Sequence, residues 1–208
     1  MKWWWKNKIN DKTYKKYVKA QVALNIKKFD CVWVYEKNIE QIVEIFNNNI
    51  DEIKFTICHG CRNGKELEFF KKYLPKETKI LGTDIAKTAN DIENMIQWDF
   101  HKTKEEWIDN VDVIYSNSID HTYDPYLCLD KWMSCVKKEN GICVIHLPSS
   151  DHGHGRDRGN CFGATAKEYE KIFTKKYSIL HKMKIDKPVK NQNNEIEHTI
   201  VYFLRHNA

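Results

Sequence analysis

The chain has 208 residues, of which 41% are hydrophobic and 30% charged, and its formal net charge at pH 7 is +5. This length suits one α/β domain and is too short for two domains of ordinary size. No apolar run approaches the roughly 18 residues that a membrane helix requires, so we expect a cytoplasmic protein with no membrane partner.

The first 50 residues are predicted to form a small, basic helical cap. Residues 1–28 hold nine lysines and a single acid, Asp11. The predicted elements of the cap are a helix at 12–29, a strand at 31–35 and a helix at 38–46. The side chains of the first helix that could bind a substrate, or simply cover the sheet edge, are Tyr14, Tyr17 and Gln21.

Residues 51–208 are predicted to form one domain in which strands and helices alternate. The predicted strands are 53–58, 79–83, 95–98, 111–115, 142–146, 177–185 and 198–204. The predicted helices or helical turns are 65–73, 85–94, 105–109, 126–136 and 166–173. This order indicates a doubly wound, mostly parallel, seven-stranded Rossmann-like sheet with an antiparallel C-terminal strand. Ligands of such sheets bind beyond the carboxyl ends of the strands.

The first strand of this domain leads into a turn that could approach a ligand closely. Gly60 and Gly64 stand in this turn, and glycine tolerates the backbone conformations that a tight turn requires. A dinucleotide site would need a third glycine, in the pattern G-x-G-x-x-G, and an acid such as Glu66 would disfavour a pyrophosphate. The zwitterionic amino-acid part of a ligand is a better match to this turn.

Polar side chains also follow the next three strands. Asp84 ends the second strand, where a carboxylate can accept both hydroxyls of a ribose. Asp99 and Phe100 follow the third strand, and together they offer an acceptor and a ring face to an adenine. Asn117 follows the fourth strand. The sequence therefore predicts a nucleoside site at this edge of the sheet.

This succession of motifs resembles the class I S-adenosylmethionine-dependent methyltransferases over roughly residues 53–147. The resemblance implies S-adenosylmethionine as the cofactor and S-adenosylhomocysteine as the product. Cys58 and Arg62 stand where the family usually has an acid and a middle glycine. The residues that the resemblance and the turn assign to the cofactor are His59, Gly60, Cys61, Arg62, Gly64, Glu66, Asp84, Ile85, Asp99, Phe100 and Asn117.

Methyl transfer to a hydroxyl needs a base beside the acceptor. The segment from Tyr115 to Pro125 looks like the family's fourth-strand motif, in which an acid–histidine pair is common. Beyond the fifth strand, residues 149–159 are rich in histidine, aspartate and arginine. That run could take a proton, bind a divalent metal with its aspartates, or be a solvated loop. The candidate catalytic residues are His121, His152 and Asp120, and further acceptor contacts are expected from His154 and Arg156.

The expected class of acceptor follows from elimination. Enzymes that methylate amino groups of DNA and of some proteins carry an Asn/Asp-Pro-Pro-aromatic signature, whereas this chain has Asn117-Ser-Ile-Asp. No Pro-Cys dipeptide of the cytosine C5 enzymes occurs. We therefore expect O-methylation of a small polar acceptor, with a sugar, a sugar-nucleotide or a polysaccharide precursor as the first hypothesis.

Two functions from other classes remain open, as does a catalytically inactive, regulatory methyltransferase-like domain, given Cys58 and Arg62. An NAD(P)-dependent oxidoreductase could use the same sheet, although the third glycine is missing. A nucleic-acid-binding module or RNA methyltransferase could use the basic arm. The chain has 30 lysines and four arginines, and arginine dominates specific phosphate and base recognition, so we do not expect a nucleic-acid partner.

The seven cysteines are consistent with a reducing compartment, because their number is odd and they are scattered. Cys58 and Cys61 form a single C-x-x-C pair, and a zinc site would need a second pair. We therefore expect no bound metal.

Overall fold

The computed structural model describes residues 2–3, 9–147, 161–190 and 196–207. The strands are β1 (Lys2–Trp3), β2 (Phe55–His59), β3 (Lys79–Asp84), β4 (Met95–Gln97), β5 (Val113–Ser116), β6 (Ile142–His146), β7 (Phe162–Gly163), β8 (Tyr177–Lys190) and β9 (Ile196–His206). The α-helices are α1 (Asp11–Lys27), α2 (Glu36–Asn47), α3 (Lys65–Tyr73), α4 (Pro125–Cys135) and α5 (Ala166–Phe173). Short 3-10 helices lie at Lys87–Asp91, Glu105–Trp107 and Ile119–His121.

Seven strands form one mixed sheet in the order β4-β3-β2-β5-β6-β9-β8. Strands β2 to β6 pair in parallel, β9 is antiparallel to β6, and β8 is antiparallel to β9. The predicted doubly wound, Rossmann-like sheet with a reversed C-terminal strand is therefore confirmed. The carboxyl ends of the five parallel strands all meet at one edge, where the loops that carry the candidate residues begin.

The central strands were visible in the sequence because helices cover both faces of the sheet. Every residue of β2 and of β6 is buried, so both strands appear as continuous apolar runs. One core layer lies between the sheet and the α4–α5 side and includes Trp132 and Phe173. The other lies on the α2–α3 side, where the rings of Phe46 and Phe70 stack with centroids 6.2 Å apart.

The N-terminal segment differs from the prediction in one element. The strand predicted at 31–35 is wrong, since these residues form an irregular link between α1 and α2. Val34 alone of the five is buried, while Trp33 and Tyr35 are 49% and 41% exposed. Aromatic and β-branched residues favour a strand only where a partner strand is available, and this segment pairs with none in the described part of the chain.

The bounds of other elements also differ from the prediction. The helix predicted at 85–94 is a 3-10 helix at Lys87–Asp91. The C-terminal hairpin is longer than predicted, because β8 and β9 extend to Lys190 and back to Ile196. The division into a cap at 1–50 and a domain at 51–208 stays a prediction, although α2 packs in the same helical layer as α3. In the described residues, no helix is both long enough and apolar enough to cross a membrane.

Candidate functional site

A small cavity lies at the carboxyl edge of the sheet, beneath α1. Its volume is about 50 Å³. The sheet side of its lining is formed by Gly60, Arg62, Asp84, Ile85, Asp99, Phe100, Ser118 and His121. The α1 side is formed by Tyr17, Gln21, Leu24, Asn25 and Lys28. The fold thus brings nine of the nineteen candidate residues, from five separate segments, to one place.

The turn after β2 holds its shape through two glycines in the left-handed conformation. Gly60 has φ +78°, and a Cβ added there would lie 2.5 Å from Ser118 Oγ. Gly64 has φ +76°. Arg62 also adopts a positive φ, 45°, at the position where the resemblance predicts a glycine. This conformation costs a non-glycine residue roughly 1–2 kcal/mol. Because Arg62 adopts it, the turn keeps the same path.

Asp84 ends β3 with both carboxylate oxygens in hydrogen bonds. Oδ1 accepts from the backbone N–H of Ala86 at 3.0 Å and from the side-chain amide of Asn25 at 2.7 Å. Oδ2 accepts from the backbone N–H of Arg62 at 3.0 Å. Burial raises the pKa of Asp84, although the two backbone donors act in the opposite direction. The carboxylate is therefore oriented by the loops of two adjacent strands.

Asp99, just after β4, lies in a compact polar and aromatic cluster. Its Oδ1 accepts from the backbone N–H and the ring Nδ1 of His101, at 2.9 and 2.8 Å, and its Oδ2 accepts from the Tyr14 hydroxyl at 2.6 Å. Burial alone would raise the pKa of Asp99, but the hydrogen bonds from His101 and Tyr14 outweigh it and lower the pKa to about 2. The ring of His101 stacks on Tyr123 with centroids 3.7 Å apart. Asp99 is therefore an anion at neutral pH.

The buried face of α1 is polar, which is unusual for a helix packed on a domain. Tyr14, Tyr17, Gln21 and Asn25 recur at a spacing of three or four residues, so they form one stripe. Tyr14 bonds Asp99, Asn25 bonds Asp84, and the Tyr17 hydroxyl donates to the carbonyl oxygen of His121 at 3.1 Å. This helix is held to the site largely by hydrogen bonds to the candidate residues themselves.

His121 ends the 3-10 helix Ile119–His121 that follows β5. Its Nδ1 lies 2.9 Å from Gln21 Oε1, and its Nε2 lies 4.0 Å from Asp120 Oδ1. Asp120 is 3% exposed, and its Oδ1 has no hydrogen-bond partner among the described residues. An imidazole in this position borders the cavity beside a buried carboxylate, an arrangement that suits proton transfer.

Glu66 and Asn117 lie directly behind the turn. Glu66 is 7% exposed, and burial raises its pKa to about 7. Its Oε1 accepts from Asn117 Nδ2 at 3.2 Å, while its Oε2 is buried without a hydrogen-bond partner in the described part of the chain. A buried carboxylate oxygen without a donor is costly, so this position is suited to a cationic or hydrogen-bonding ligand group.

Two of the candidate cofactor residues turn their side chains away from the cavity. His59 Nδ1 lies 2.8 Å from Thr83 Oγ1, and its ring stacks on Trp132, with burial lowering the pKa of His59 to about 3. The Cys61 thiol donates to the carbonyl oxygen of Cys58 at 2.9 Å. Only the backbone of these two residues reaches the turn. His152, His154 and Arg156 lie outside the described residues.

The sequence analysis missed four residues of the site, namely Leu24, Asn25, Lys28 and Ser118. Asn25 could have been found, because it lies one helical turn beyond Gln21 on the same face. Ser118 and Lys28 gave no specific signal. Across the described ranges, no group of three or more histidine, cysteine, aspartate or glutamate side chains is arranged to hold a metal ion.

No protein-family model matches this chain, and no curated protein sequence matches it. Solved structures do match its fold. Burkholderia thailandensis 1,6-didemethyltoxoflavin-N1-methyltransferase, crystallised with 1,6-didemethyltoxoflavin and S-adenosylhomocysteine, superposes with a TM-score of 0.69 at 10% identity, over 96% of this chain and 92% of that one.

Two further structures give the same result. The N-methyltransferase NodS from Bradyrhizobium japonicum, in complex with S-adenosylhomocysteine, has a TM-score of 0.64 at 11% identity and covers 91% of this chain and 100% of its own. An S-adenosylmethionine-dependent methyltransferase from Anabaena variabilis has a TM-score of 0.62 at 15% identity, over 91% and 95% of the two chains. The chain therefore has the fold of the class I S-adenosylmethionine-dependent methyltransferases.

Proposed function

We propose that this protein is an S-adenosylmethionine-dependent methyltransferase whose cofactor site is the cavity beneath α1. The observation that carries the proposal is the convergence of Asp84 and Asp99 with the Gly60 turn on one cavity, at the ends of three neighbouring strands. This is the place where doubly wound sheets bind nucleosides. The matching methyltransferase structures that hold S-adenosylhomocysteine support the same cofactor.

The chemistry of the lining, together with Glu66 behind the turn, fits each part of that cofactor. Asp84 can accept the ribose hydroxyls, and Asp99 with Phe100 can accept the adenine amine and cover its ring. Gly60 lets the backbone approach closely, since a side chain there would collide with neighbouring atoms. The unpartnered Oε2 of Glu66 offers an acceptor to the ammonium group. This carboxylate would supply the charge that Cys58 cannot.

The side chains of Tyr14 and Asn25 must move aside when a nucleoside enters. The cavity of about 50 Å³ is well below the roughly 300–1,000 Å³ of ordinary ligand pockets. Tyr14 and Asn25 bond the same two carboxylates that the cofactor would use. We therefore propose that these two side chains rearrange when the cofactor binds, while Tyr17 and Gln21 of the same helix keep their contacts with His121.

When bound, S-adenosylmethionine supplies a methyl group on a positively charged sulfur, and the sulfur keeps the electron pair of the broken bond. His121 takes the proton of an acceptor hydroxyl, whose oxygen then has the electron pair that forms the new bond to carbon. Asp120, beside Nε2, stabilises the imidazolium that results. The proposed acceptor is a small hydroxyl compound of the sugar, sugar-nucleotide or polysaccharide-precursor class.

A nitrogen acceptor is the second candidate. Two of the matching structures are N-methyltransferases by name. An amine or ring nitrogen needs less help from a base, so His121 distinguishes the two cases. Transfer of a labelled methyl group to panels of hydroxyl and amine compounds tests both, with His121→Ala as the variant. O-methylation predicts product from hydroxyl compounds and a large loss in His121→Ala, whereas amine products that survive this substitution favour N-methylation.

A cytoplasmic location is part of the proposal. Six of the seven cysteines are buried, as reduced thiols packed inside a domain are. Reduced thiols are typical of a reducing compartment.

A further inference from the structure

We propose that Gln21 is a positioning residue that fixes the tautomer of His121, so that Nε2 is the nitrogen that accepts the proton of the methyl acceptor. The effect of Gln21 on the reaction rests on the proposed function. The tautomer of His121 does not rest on it, because the tautomer is a property of the cofactor-free chain.

The hydrogen-bonding capacity of the two side chains leads to this assignment. His121 Nδ1 lies 2.9 Å from Gln21 Oε1. An amide oxygen only accepts, so Nδ1 must carry the hydrogen and Nε2 the lone pair. The amide nitrogen of Gln21 donates to Cys161 Sγ at 3.3 Å, which holds the oxygen toward the imidazole. Gln21 is 6% exposed, so water competes little for either bond.

α1 holds His121 through its backbone as well. Tyr17 lies one turn before Gln21, and its hydroxyl donates to the His121 carbonyl oxygen at 3.1 Å. Tyr17 is 2% exposed. The His121 N–H in turn donates to the Ser118 carbonyl oxygen at 3.0 Å, within the loop that borders Gly60. Ring and main chain are therefore fixed together, and the imidazole can turn little about its side-chain bonds.

A carboxylate lies on the Nε2 side of the ring. Asp120 Oδ1 is 4.0 Å from Nε2, and Asp84 lines the same cavity. Nε2 is therefore the ring nitrogen that lies beside a carboxylate, whereas Nδ1 lies beside an amide oxygen. The other titratable or charged groups that border this part of the cavity are Tyr17, Lys28, Arg62, Asp99 and Cys161.

The direct test is the nitrogen NMR spectrum of histidine-labelled, cofactor-free protein at a pH where His121 is neutral, with His121→Ala to assign its signals. Free histidine prefers the Nε2–H tautomer. We expect the opposite one, Nδ1–H, for His121 in the wild type and in Gln21→Glu, which keeps the acceptor. Gln21→Leu should return the ring toward Nε2–H. An Nε2–H ring in the wild type, or a Gln21→Leu spectrum like that of the wild type, would overturn the proposal.

The kinetic test separates positioning from simple packing. Gln21→Leu should lower kcat by about 100-fold, within the range that general base catalysis contributes, while the acceptor KM changes little. Gln21→Glu should retain activity and move the acidic limb of the pH profile of kcat/KM upward, because a carboxylate at Nδ1 favours the imidazolium. Unchanged kcat in a Gln21→Leu variant with the altered tautomer would contradict the catalytic role. Failure of the wild type to bind S-adenosylhomocysteine would instead contradict the proposed function and leave the tautomer result standing.

Discussion

The side-chain amide nitrogen of Asn25 lies 2.7 Å from Oδ1 of Asp84, so a helix of the N-terminal segment occupies the carboxylate that is best placed to bind a ribose. Both side chains are buried, at 6% and 7% exposure. The side-chain oxygen Oδ1 of Asn25 lacks a hydrogen-bond partner in the described part of the chain. The contact between Asn25 and Asp84 is therefore incompletely satisfied, which favours displacement of the Asn25 side chain by a ligand.

Substituting Asn25 by alanine should tighten the binding of S-adenosylhomocysteine. The amide competes with the ribose for Asp84, and a hydrogen bond to a charged group contributes roughly 1.5–3 kcal/mol. We expect the Kd to fall by about threefold to tenfold in calorimetric titration, with exposed Lys16→Ala on the same helix as the control. A weaker Asn25→Ala complex would mean that Asn25 contacts the cofactor rather than competing with it.

Asp99 should make stability depend on pH in acid. Its pKa falls from the usual 3.8 to about 2 on folding, so its contribution is present above pH 4 and is lost as the pH falls toward 2. Asp99→Asn should therefore unfold more readily than the wild type at pH 6, whereas the two should converge near pH 2. Urea titrations at a series of pH values measure this difference. If the difference in unfolding free energy between Asp99→Asn and the wild type stayed constant from pH 6 to pH 2, the role assigned to the His101 and Tyr14 hydrogen bonds would be excluded.

Glu66 should make stability depend on pH in the opposite direction to Asp99. Its pKa rises from the usual 4.5 to about 7 on folding, so stability is full below pH 4.5 and falls as the pH rises through 7. Glu66→Gln should match the wild type at pH 4 and exceed it at pH 8, by at most about 3 kcal/mol. Exposed Glu68→Gln on the same helix provides the control. A Glu66→Gln variant less stable than the wild type at pH 8 would show that the carboxylate is paired.

The substitution Glu66→Gln should impair only the contacts that the cofactor makes through its amino-acid part. Glu66→Gln should weaken the binding of S-adenosylhomocysteine by about tenfold, since a charge-assisted bond contributes roughly 1.5–3 kcal/mol. The binding of 5′-methylthioadenosine, which lacks the ammonium and the carboxylate, should be unchanged. Equal losses for both ligands would point to a damaged turn, and no loss for either would remove Glu66 from the site.

The sheet and the residues at its edge could be predicted because their signals are local. Buried parallel strands appear as apolar runs, and Asp84 and Asp99 follow those runs directly. The contacts of α1 could not be predicted. Its polar stripe is evident in the sequence, but which residue Tyr14 or Asn25 meets depends on chain folding across more than 50 positions.

The direction in which side chains point also could not be predicted from the sequence. His59 looked like a ligand-facing residue from its place in the turn, yet strand alternation turns its ring into the core against Trp132. At 31–35, strand-forming residues pair with no strand among the residues that the structure describes. Both differences come from tertiary context, which a local pattern does not contain.

Calorimetric titration of the purified full chain with S-adenosylhomocysteine, with NAD and NADP in parallel, tests the central claim most directly. We predict micromolar binding of S-adenosylhomocysteine only, lost in Asp84→Ala and retained in Glu93→Ala, which removes an exposed carboxylate that does not line the cavity. No binding of S-adenosylhomocysteine, or tight binding of NAD in its place, would contradict the methyltransferase account.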